Sequence, residues 1–145
     1  GGGAHLEKEI ADYIAERKNW DFGIFELGVN MVLGFEVDEF ERRVDYFVKT
    51  ITEKNPNKHL FFIDIFPFYM DFEQVEKQKK FREIVEKKVK EMNKENAIHI
   101  SGFDILKDIR GLMTDRIHPS SVGFEEMGKN LALILQKKLK IGGER

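Results

Sequence analysis

The sequence predicts one α/β domain over residues 1–145, in which helices cover both faces of a parallel sheet. Short apolar runs of strand length alternate with longer segments whose apolar residues recur at helical spacing. The resulting order, α-β-α-β-α-β-α, is typical of parallel sheets with helical crossovers. The run at residues 59–66 is almost wholly apolar, as expected of a strand that is buried on both of its faces.

The first half of the chain contains two predicted helices and one predicted strand. Apolar residues at helical spacing predict a first helix at residues 5–18, with glutamates in its first turn. Residues 22–27 (FGIFEL) form a short apolar run of strand length. A strongly periodic segment at residues 37–51 predicts the second helix, which Asn-Pro-Asn at residues 55–57 closes.

The second half contains two strands and two helices. The strand at 59–66 is followed by a predicted helix at 72–93 and by a third strand at 97–101. Ser120 or Ser121 is the expected N-cap of the last helix. The apolar face of that helix is expected to contain Phe124, Met127, Leu131, Ile134 and Leu135.

The composition is that of a soluble globular protein. Of the 145 residues, 41% are hydrophobic and 34% are charged, and the formal net charge is −2. This near-neutral balance predicts no general attraction to nucleic acid or to an anionic membrane surface. The absence of cysteine excludes disulfides and thiolate metal sites, and it fits a reducing, cytoplasmic location. No apolar run approaches the roughly 18 residues of a membrane span.

Polar residues follow the predicted strands at the positions where open α/β sheets bind their ligands. Ligands bind beyond the carboxyl ends of the strands, where residues 28–31, 66–69 and 101–119 are expected to lie. Asn30 belongs to the first of these segments, and Asp115 and His118 belong to the third. We therefore expect these three residues to share one edge of the sheet.

The residue types at this edge are suited to acid–base chemistry. A histidine that a carboxylate orients is a competent general base, and an asparagine amide can donate to an oxyanion. Each residue also has a simpler interpretation, since Asp115 alone could be a loop or cap residue and Asn30 alone a turn former. Aromatic residues at 66–69 could line an acyl or sugar pocket or could simply pack. The other histidines, His5, His59 and His99, lack the spacing of a metal site, and His59 and His99, at the starts of strands, are expected to be structural.

Two of these segments together resemble signature blocks of the SGNH (GDSL-type) hydrolases. One is the Gly-x-Asn at residues 28–30, which follows a strand, and the other is the Asp-x-x-His-Pro at residues 115–119, which precedes the last helix. The glycine-rich opening at residues 1–7 resembles a third block, a loop whose glycine N–H joins the oxyanion hole, and Gly2 aligns best with that glycine. The resemblance covers nearly the whole chain in the correct order.

The resemblance implies a three-layer α/β/α, flavodoxin-like fold and the hydrolysis of a small-molecule acyl or acetyl ester by a serine nucleophile. It implies no metal ion and no organic cofactor. His118 is expected to take the proton of the serine, and Asp115 is expected to orient His118. Asn30 and the Gly2 amide are expected to donate to the oxyanion. The aromatic residues expected to line the substrate pocket are Phe66, Phe68 and Tyr69.

The sequence departs from the family at two places. Met31 stands where the family usually has aspartate after the oxyanion asparagine. More importantly, Ser101, Ser120 and Ser121 all lack the Gly-Asp-Ser context of the nucleophile. Because the chain starts at the glycine loop and has only three predicted strands, we expect the serine and the first strands in sequence upstream of Gly1. The chain then corresponds to the carboxyl-terminal two-thirds of a hydrolase and is inactive alone.

Two further expectations depend on this interpretation. If an upstream strand normally pairs with residues 22–27, the chain is expected to self-associate or to bind a complementing N-terminal segment. Two alternatives to the enzyme remain open. One is a non-catalytic binding module that keeps the fold but has lost its serine, and the other is an unrelated flavodoxin-like interaction domain.

Overall fold

A computed structural model of the chain describes residues 3–73 and 75–139. Its helices and strands are α1 Lys8–Glu16, β1 Phe22–Glu26, α2 Val37–Lys54, β2 His59–Ile63, α3 Lys77–Glu91, β3 Ala97–Ile100, α4 Gly102–Ile105 and α5 Ser121–Leu139. Two short 3-10 turns lie at Tyr69–Phe72 and Ile109–Gly111. Among the helices of the described residues, none has both the length and the apolar character that a membrane span requires.

The three strands form a parallel sheet in the order β1-β2-β3, which confirms the predicted fold class. Phe25 pairs with Phe62 between the first two strands, and Ile63 pairs with Ile100 between the last two. β2 is central, and its residues from Leu60 to Ile63 are all buried, as the apolar run predicts. β1 and β3 are the edges of the described sheet.

The chain divides into two compact units. The first contains residues 3–65 and 76–101, and therefore the sheet with α1, α2 and α3. The second contains the described residues of 66–75 and 102–139, and therefore both 3-10 turns, α4 and α5. The chain enters the second unit shortly after β2 and again directly after β3. The single-domain interpretation of residues 1–145 stays a prediction.

The helices of the first unit make aromatic contacts both with the sheet and with each other. Phe47 of α2 packs edge-to-face on Phe25 of β1, at 5.4 Å between ring centroids. Phe40 of α2 stacks on Phe81 of α3. Each such side chain, when fully buried, contributes roughly 1.5–3 kcal/mol to the free energy of unfolding. The helical periodicity of α2 thus determines which of its faces covers the sheet.

A buried acid in the first unit is paired. Asp64 follows β2 and accepts a hydrogen bond from Nε2 of His99 in β3, at 2.8 Å. Both residues belong to the interior of this unit, with Asp64 almost fully buried. The pairing offsets the cost of burying a carboxylate and gives His99 the structural role that the sequence predicts.

The helices differ from the prediction in their bounds and in number; α1, predicted at residues 5–18, spans Lys8–Glu16. The helix expected from residue 72 begins at Lys77, because residues 69–72 form a 3-10 turn that Asp71 closes by accepting the Phe68 amide. Four-residue α4 and the turn at 109–111 were not predicted, since segments this short show no periodicity.

The apolar face predicted for α5 is only partly covered. Phe124 is 62% exposed, whereas the other residues of that face are half-buried. Gly123 is the buried residue of the first turn, and it lies against the backbone of Gly111. A glycine adds nothing to an apolar pattern, so the sequence does not reveal which side of the helix is covered there.

Candidate functional site

The Asp-x-x-His segment lies in a narrow hairpin directly before α5. Leu112 pairs with Pro119 in an antiparallel bridge, and the Met113 amide donates to the His118 carbonyl oxygen at 2.8 Å. The tip closes because the Arg116 amide donates to the Met113 carbonyl oxygen at 2.9 Å. Arg116 has a φ of 57°, a left-handed conformation that is uncommon for a residue with a side chain. We call residues 111–120 the histidine loop.

Asp115 accepts three hydrogen bonds inside the histidine loop. Its Oδ1 accepts from the amides of Ile117 and His118, at 2.9 and 3.0 Å, and its Oδ2 is 2.8 Å from Nδ1 of His118. The bond from the Ile117 amide, followed by those from the His118 ring and amide, lowers the pKa of Asp115 to about 2. The carboxylate is therefore ionised at neutral pH and can only accept, so Nδ1 of His118 carries the proton.

The second nitrogen of the His118 ring is accessible. The His118 side chain is 70% exposed and that of Asp115 is 42% exposed. Within residues 3–73 and 75–139, no hydrogen bond to Nε2 of His118 is found. In the neutral ring Nε2 is the unprotonated nitrogen, because the proton is on Nδ1. It can therefore accept a proton from a group that approaches from solvent.

The Gly-x-Asn segment forms a turn at the carboxyl end of β1. Gly28 has a φ of 125°, and a Cβ at this position would lie 2.9 Å from Cγ1 of Ile65, so only glycine fits without strain. Its carbonyl oxygen accepts from the amides of Met31 and Val32, whose side chains are buried. Met31, where the resemblance described above would place an aspartate, is thus a core residue. Asn30 lies on the exposed side of this turn.

Glu26 is a titratable group that the sequence interpretation missed. It is half-buried at the end of β1, and its Oε1 lies 3.4 Å from the amide nitrogen of Val29 in the Gly-x-Asn turn. Burial raises the pKa of Glu26 to about 7, the Val29 amide opposes that shift, and the charge of Asp64 adds to it. The signal was available, because a glutamate interrupts the otherwise apolar FGIFEL run.

The aromatic segment after β2 contacts the histidine loop within the second unit. The Tyr69 amide donates to the Arg116 carbonyl oxygen at 2.9 Å. Phe68 is buried and packs edge-to-face on Tyr69, at 5.5 Å between ring centroids, whereas Phe66 and Tyr69 are half-buried. Phe68 is thus packed inside this unit, and the predicted pocket role of Phe66, Phe68 and Tyr69 stays a prediction.

The predicted site residues are distributed over both units. Asp115 and His118 lie together in the second unit, Asn30 lies in the first, and Gly2 lies outside the described residues. The expected convergence of Asn30 and Gly2 with His118 stays a prediction. Among the residues that the structure describes, no group of three or more His, Asp or Glu side chains could hold a metal ion.

The hydroxyl of Ser120 is engaged as a helix cap and not as an activated nucleophile. Ser120 Oγ donates to the Gly111 carbonyl oxygen and accepts from the Gly123 amide, as an N-cap residue does. Ser121 is the exposed first residue of α5, and Ser101 follows β3. The sequence prediction that Ser120 or Ser121 caps the last helix is confirmed for Ser120.

Solved structures with the same fold extend well beyond this chain. A protein of Bacteroides ovatus that is described as a GDSL-like lipase matches with a TM-score of 0.75 and 25% identity, over 99% of this chain and 43% of its own. The salicylyl-acyltransferase SsfX3 from a tetracycline biosynthetic pathway matches with a TM-score of 0.77 and 19% identity, over 99% and 44%. The chain thus spans less than half the length of either protein. No protein-family model and no curated protein matches the sequence.

Proposed function

We propose that this chain, which has the fold of the SGNH (GDSL-type) hydrolases, supplies the histidine and aspartate of a serine-dependent acyl-ester hydrolase. One observation supports the proposal most strongly. An exposed imidazole is held through Nδ1 by an ionised carboxylate, and its Nε2 is accessible to solvent. A loop former alone does not need the bond between the Asp115 carboxylate and the His118 ring.

In the proposed reaction, Nε2 of His118 takes the proton of a serine hydroxyl as the serine oxygen attacks the ester carbonyl carbon. Asp115 holds Nδ1 and stabilises the imidazolium that forms. Asn30 and the Gly2 amide donate to the oxyanion of the tetrahedral intermediate. The intermediate expels the alcohol, which takes the proton from His118, and a water molecule activated by His118 then releases the acid and the serine.

The nucleophile in this proposal comes from a segment outside residues 1–145. Two observations support this. Ser120 uses its hydroxyl as a cap, and the solved structures with this fold are more than twice as long as the part that this chain matches. A chain with this fold but without a serine partner would instead be a binding module.

The acceptor of the acyl group is water or a second alcohol. The fold is shared with a salicylyl-acyltransferase as well as with a protein described as a GDSL-like lipase. Both reactions pass through the same acyl-serine and use the same base, so the histidine and aspartate roles are identical in the two. Measuring how much free acid is released and how much acyl group is transferred to an added alcohol distinguishes hydrolysis from acyl transfer.

The test is turnover of p-nitrophenyl acetate by the 145-residue chain and by the complete product of its gene. We expect no serine-dependent turnover from the chain alone. We expect turnover by the complete product, reduced roughly 10²- to 10⁴-fold in kcat by His118→Ala. His59→Gln, at an exposed histidine of the first unit, is the matched control and should leave kcat unchanged.

Three outcomes contradict the proposal. Turnover by the 145-residue chain that is lost in Ser101→Ala, Ser120→Ala or Ser121→Ala places the nucleophile within it. If turnover by the complete product is unchanged by His118→Ala, His118 is not the general base. A complete product without turnover favours the binding module.

A further inference from the structure

The two ends of the histidine loop meet at Ser120. The Ser120 hydroxyl donates to the Gly111 carbonyl oxygen at 2.9 Å, and the Ser120 amide donates to the same oxygen at 2.7 Å. The hydroxyl oxygen also accepts from the Gly123 amide at 3.2 Å. One residue thus joins the start of the loop, the end of the loop and the first turn of α5.

The loop lies against α5 without an intervening side chain. A Cβ on Gly123 would lie 2.0 Å from the Gly111 carbonyl oxygen and 2.8 Å from its carbonyl carbon. The backbones are therefore in direct contact at this point. Glu126 of α5 accepts hydrogen bonds from the amides of Lys107 and Asp108 before the loop. The hydrogen bonds of Ser120 to Gly111 hold the loop itself.

His118 depends on the loop for its orientation because its ring is largely exposed. Packing does not hold such a ring, so its direction follows from the Asp115 bond and from the backbone on either side. The Leu112–Pro119 bridge and the bond from the Met113 amide to the His118 carbonyl oxygen make the loop narrow. A displacement of Gly111 therefore moves both strands of this hairpin, including the strand that contains His118.

We infer that Ser120 is a positioning residue for His118, whose hydroxyl holds the Gly111 end of the loop on α5 and so keeps Nδ1 of His118 on Asp115. The inference rests on the proposed function, because this orientation affects catalysis only if His118 is the base. Ser120 acts through the loop and does not touch the reacting atoms. A residue that only caps the helix needs to accept a hydrogen bond, whereas the positioning role also requires it to donate one.

Three substitutions separate these two roles. Ser120→Thr keeps a hydroxyl that both donates and accepts. Ser120→Asp keeps an acceptor for the Gly123 amide and remains a good N-cap, but it cannot donate to Gly111 and its charge repels that carbonyl oxygen. Ser120→Ala loses both functions. Ser121→Ala is the matched control, one residue further along at an exposed position.

The readout is the tautomer of neutral His118, measured by nitrogen NMR of the isotope-labelled 145-residue chain. We expect the wild type, Ser120→Thr and Ser121→Ala to hold the ring proton on Nδ1. Ser120→Ala should reduce that tautomer, and Ser120→Asp should reduce it further, toward its proportion in Asp115→Asn. The midpoints of thermal unfolding should follow another order: Ser120→Asp should unfold at a higher temperature than Ser120→Ala, because it preserves the helix cap.

The side-chain amide of Asn130 in α5, which donates to the Ile105 carbonyl oxygen, reports in the same spectra whether the second unit is folded, and His99, bonded to Asp64, reports on the first unit. If Ser120→Ala unfolds the chain, the comparison of Ser120→Asp with Ser120→Thr still distinguishes the positioning role from the capping role. A folded Ser120→Asp chain with the wild-type His118 tautomer overturns the inference and leaves Ser120 as a cap only. No substrate is used, so this result is independent of whether the proposed hydrolysis is found.

Discussion

At the scale of single residues, Asp115 shows why a loop aspartate and a histidine-orienting aspartate can be told apart. An aspartate that only forms a turn accepts from backbone amides two or three residues further along, as Asp115 does from Ile117 and His118. The bond from its second oxygen to the His118 ring is additional. Asp108 shows the contrast, since its carboxylate accepts hydrogen bonds from the amide and the guanidinium of Arg110 and orients no imidazole.

The lowered pKa of Asp115 predicts how the histidine loop responds to acid. The ordinary pKa is 3.8 and the folded value is about 2. A carboxyl whose pKa is lowered on folding contributes stability that is present above the ordinary value and is lost as pH falls through the folded value. The part of the shift of the Ile117 and His118 amide resonances that reports protonation of the Asp115 carboxyl should therefore be small at about pH 4 and should grow as pH approaches about 2.

Two variants test the assignment of this acid transition. Asp115→Asn should abolish it for both amides. Asp108→Asn removes another carboxyl whose pKa is about 2, lowered by Arg110, and should leave the transition unchanged. A transition of the Ile117 and His118 amides that is centred near 3.8 contradicts the low pKa of Asp115.

At the scale of elements, the sequence predicted what depends on local pattern. The apolar run of β2 and the periodicity of α2 identified both elements, and Asp115 and His118 are near enough in sequence for one turn to join them. The start of α3 was misplaced because a single side-chain bond, from Asp71 to the Phe68 amide, closes a 3-10 turn before it. Whether Asn30 meets His118 depends on how two separate units are arranged, which no local pattern contains.

The contact of α5 with the histidine loop predicts opposite effects for two glycines of one helix. Gly123→Ala places a methyl group 2.0 Å from the Gly111 carbonyl oxygen, so the helix and the loop must separate. We expect the free energy of unfolding to fall by roughly 1–3 kcal/mol, as for other overpacked sites. Urea denaturation of the variant measures this loss.

Gly128→Ala is the matched control, since a Cβ there meets no atom within 4 Å. Alanine restricts the unfolded chain and favours the helix, so this variant should be stabilised by roughly 0.5–1 kcal/mol. Equal effects of the two substitutions would show that the close approach at Gly123 has no energetic consequence.

At the scale of the whole molecule, β1 leaves one edge of the described sheet open to association. Phe22 and Ile24 of this strand are 44% and 39% exposed. Beside the strand, α1 and α2 contribute to a cavity of about 310 Å³ whose lining is mainly apolar and includes Ile10, Phe25 and Phe47. Exposed apolar edges pair with other strands, and natural proteins usually protect them with charges or bulges.

We therefore expect the 145-residue chain to self-associate through β1, or to bind a segment that adds a strand there. Sedimentation velocity over a wide range of concentration should show species larger than the monomer. Ile24→Lys places a charge on the open edge and should return the chain to the monomer, because a buried lysine opposes strand pairing. Leu133→Lys, at an exposed apolar residue of α5, is the matched control and should leave the association unchanged. A wild-type chain that stays monomeric at every concentration, or a control that dissociates it equally, means that the β1 edge is not the contact surface.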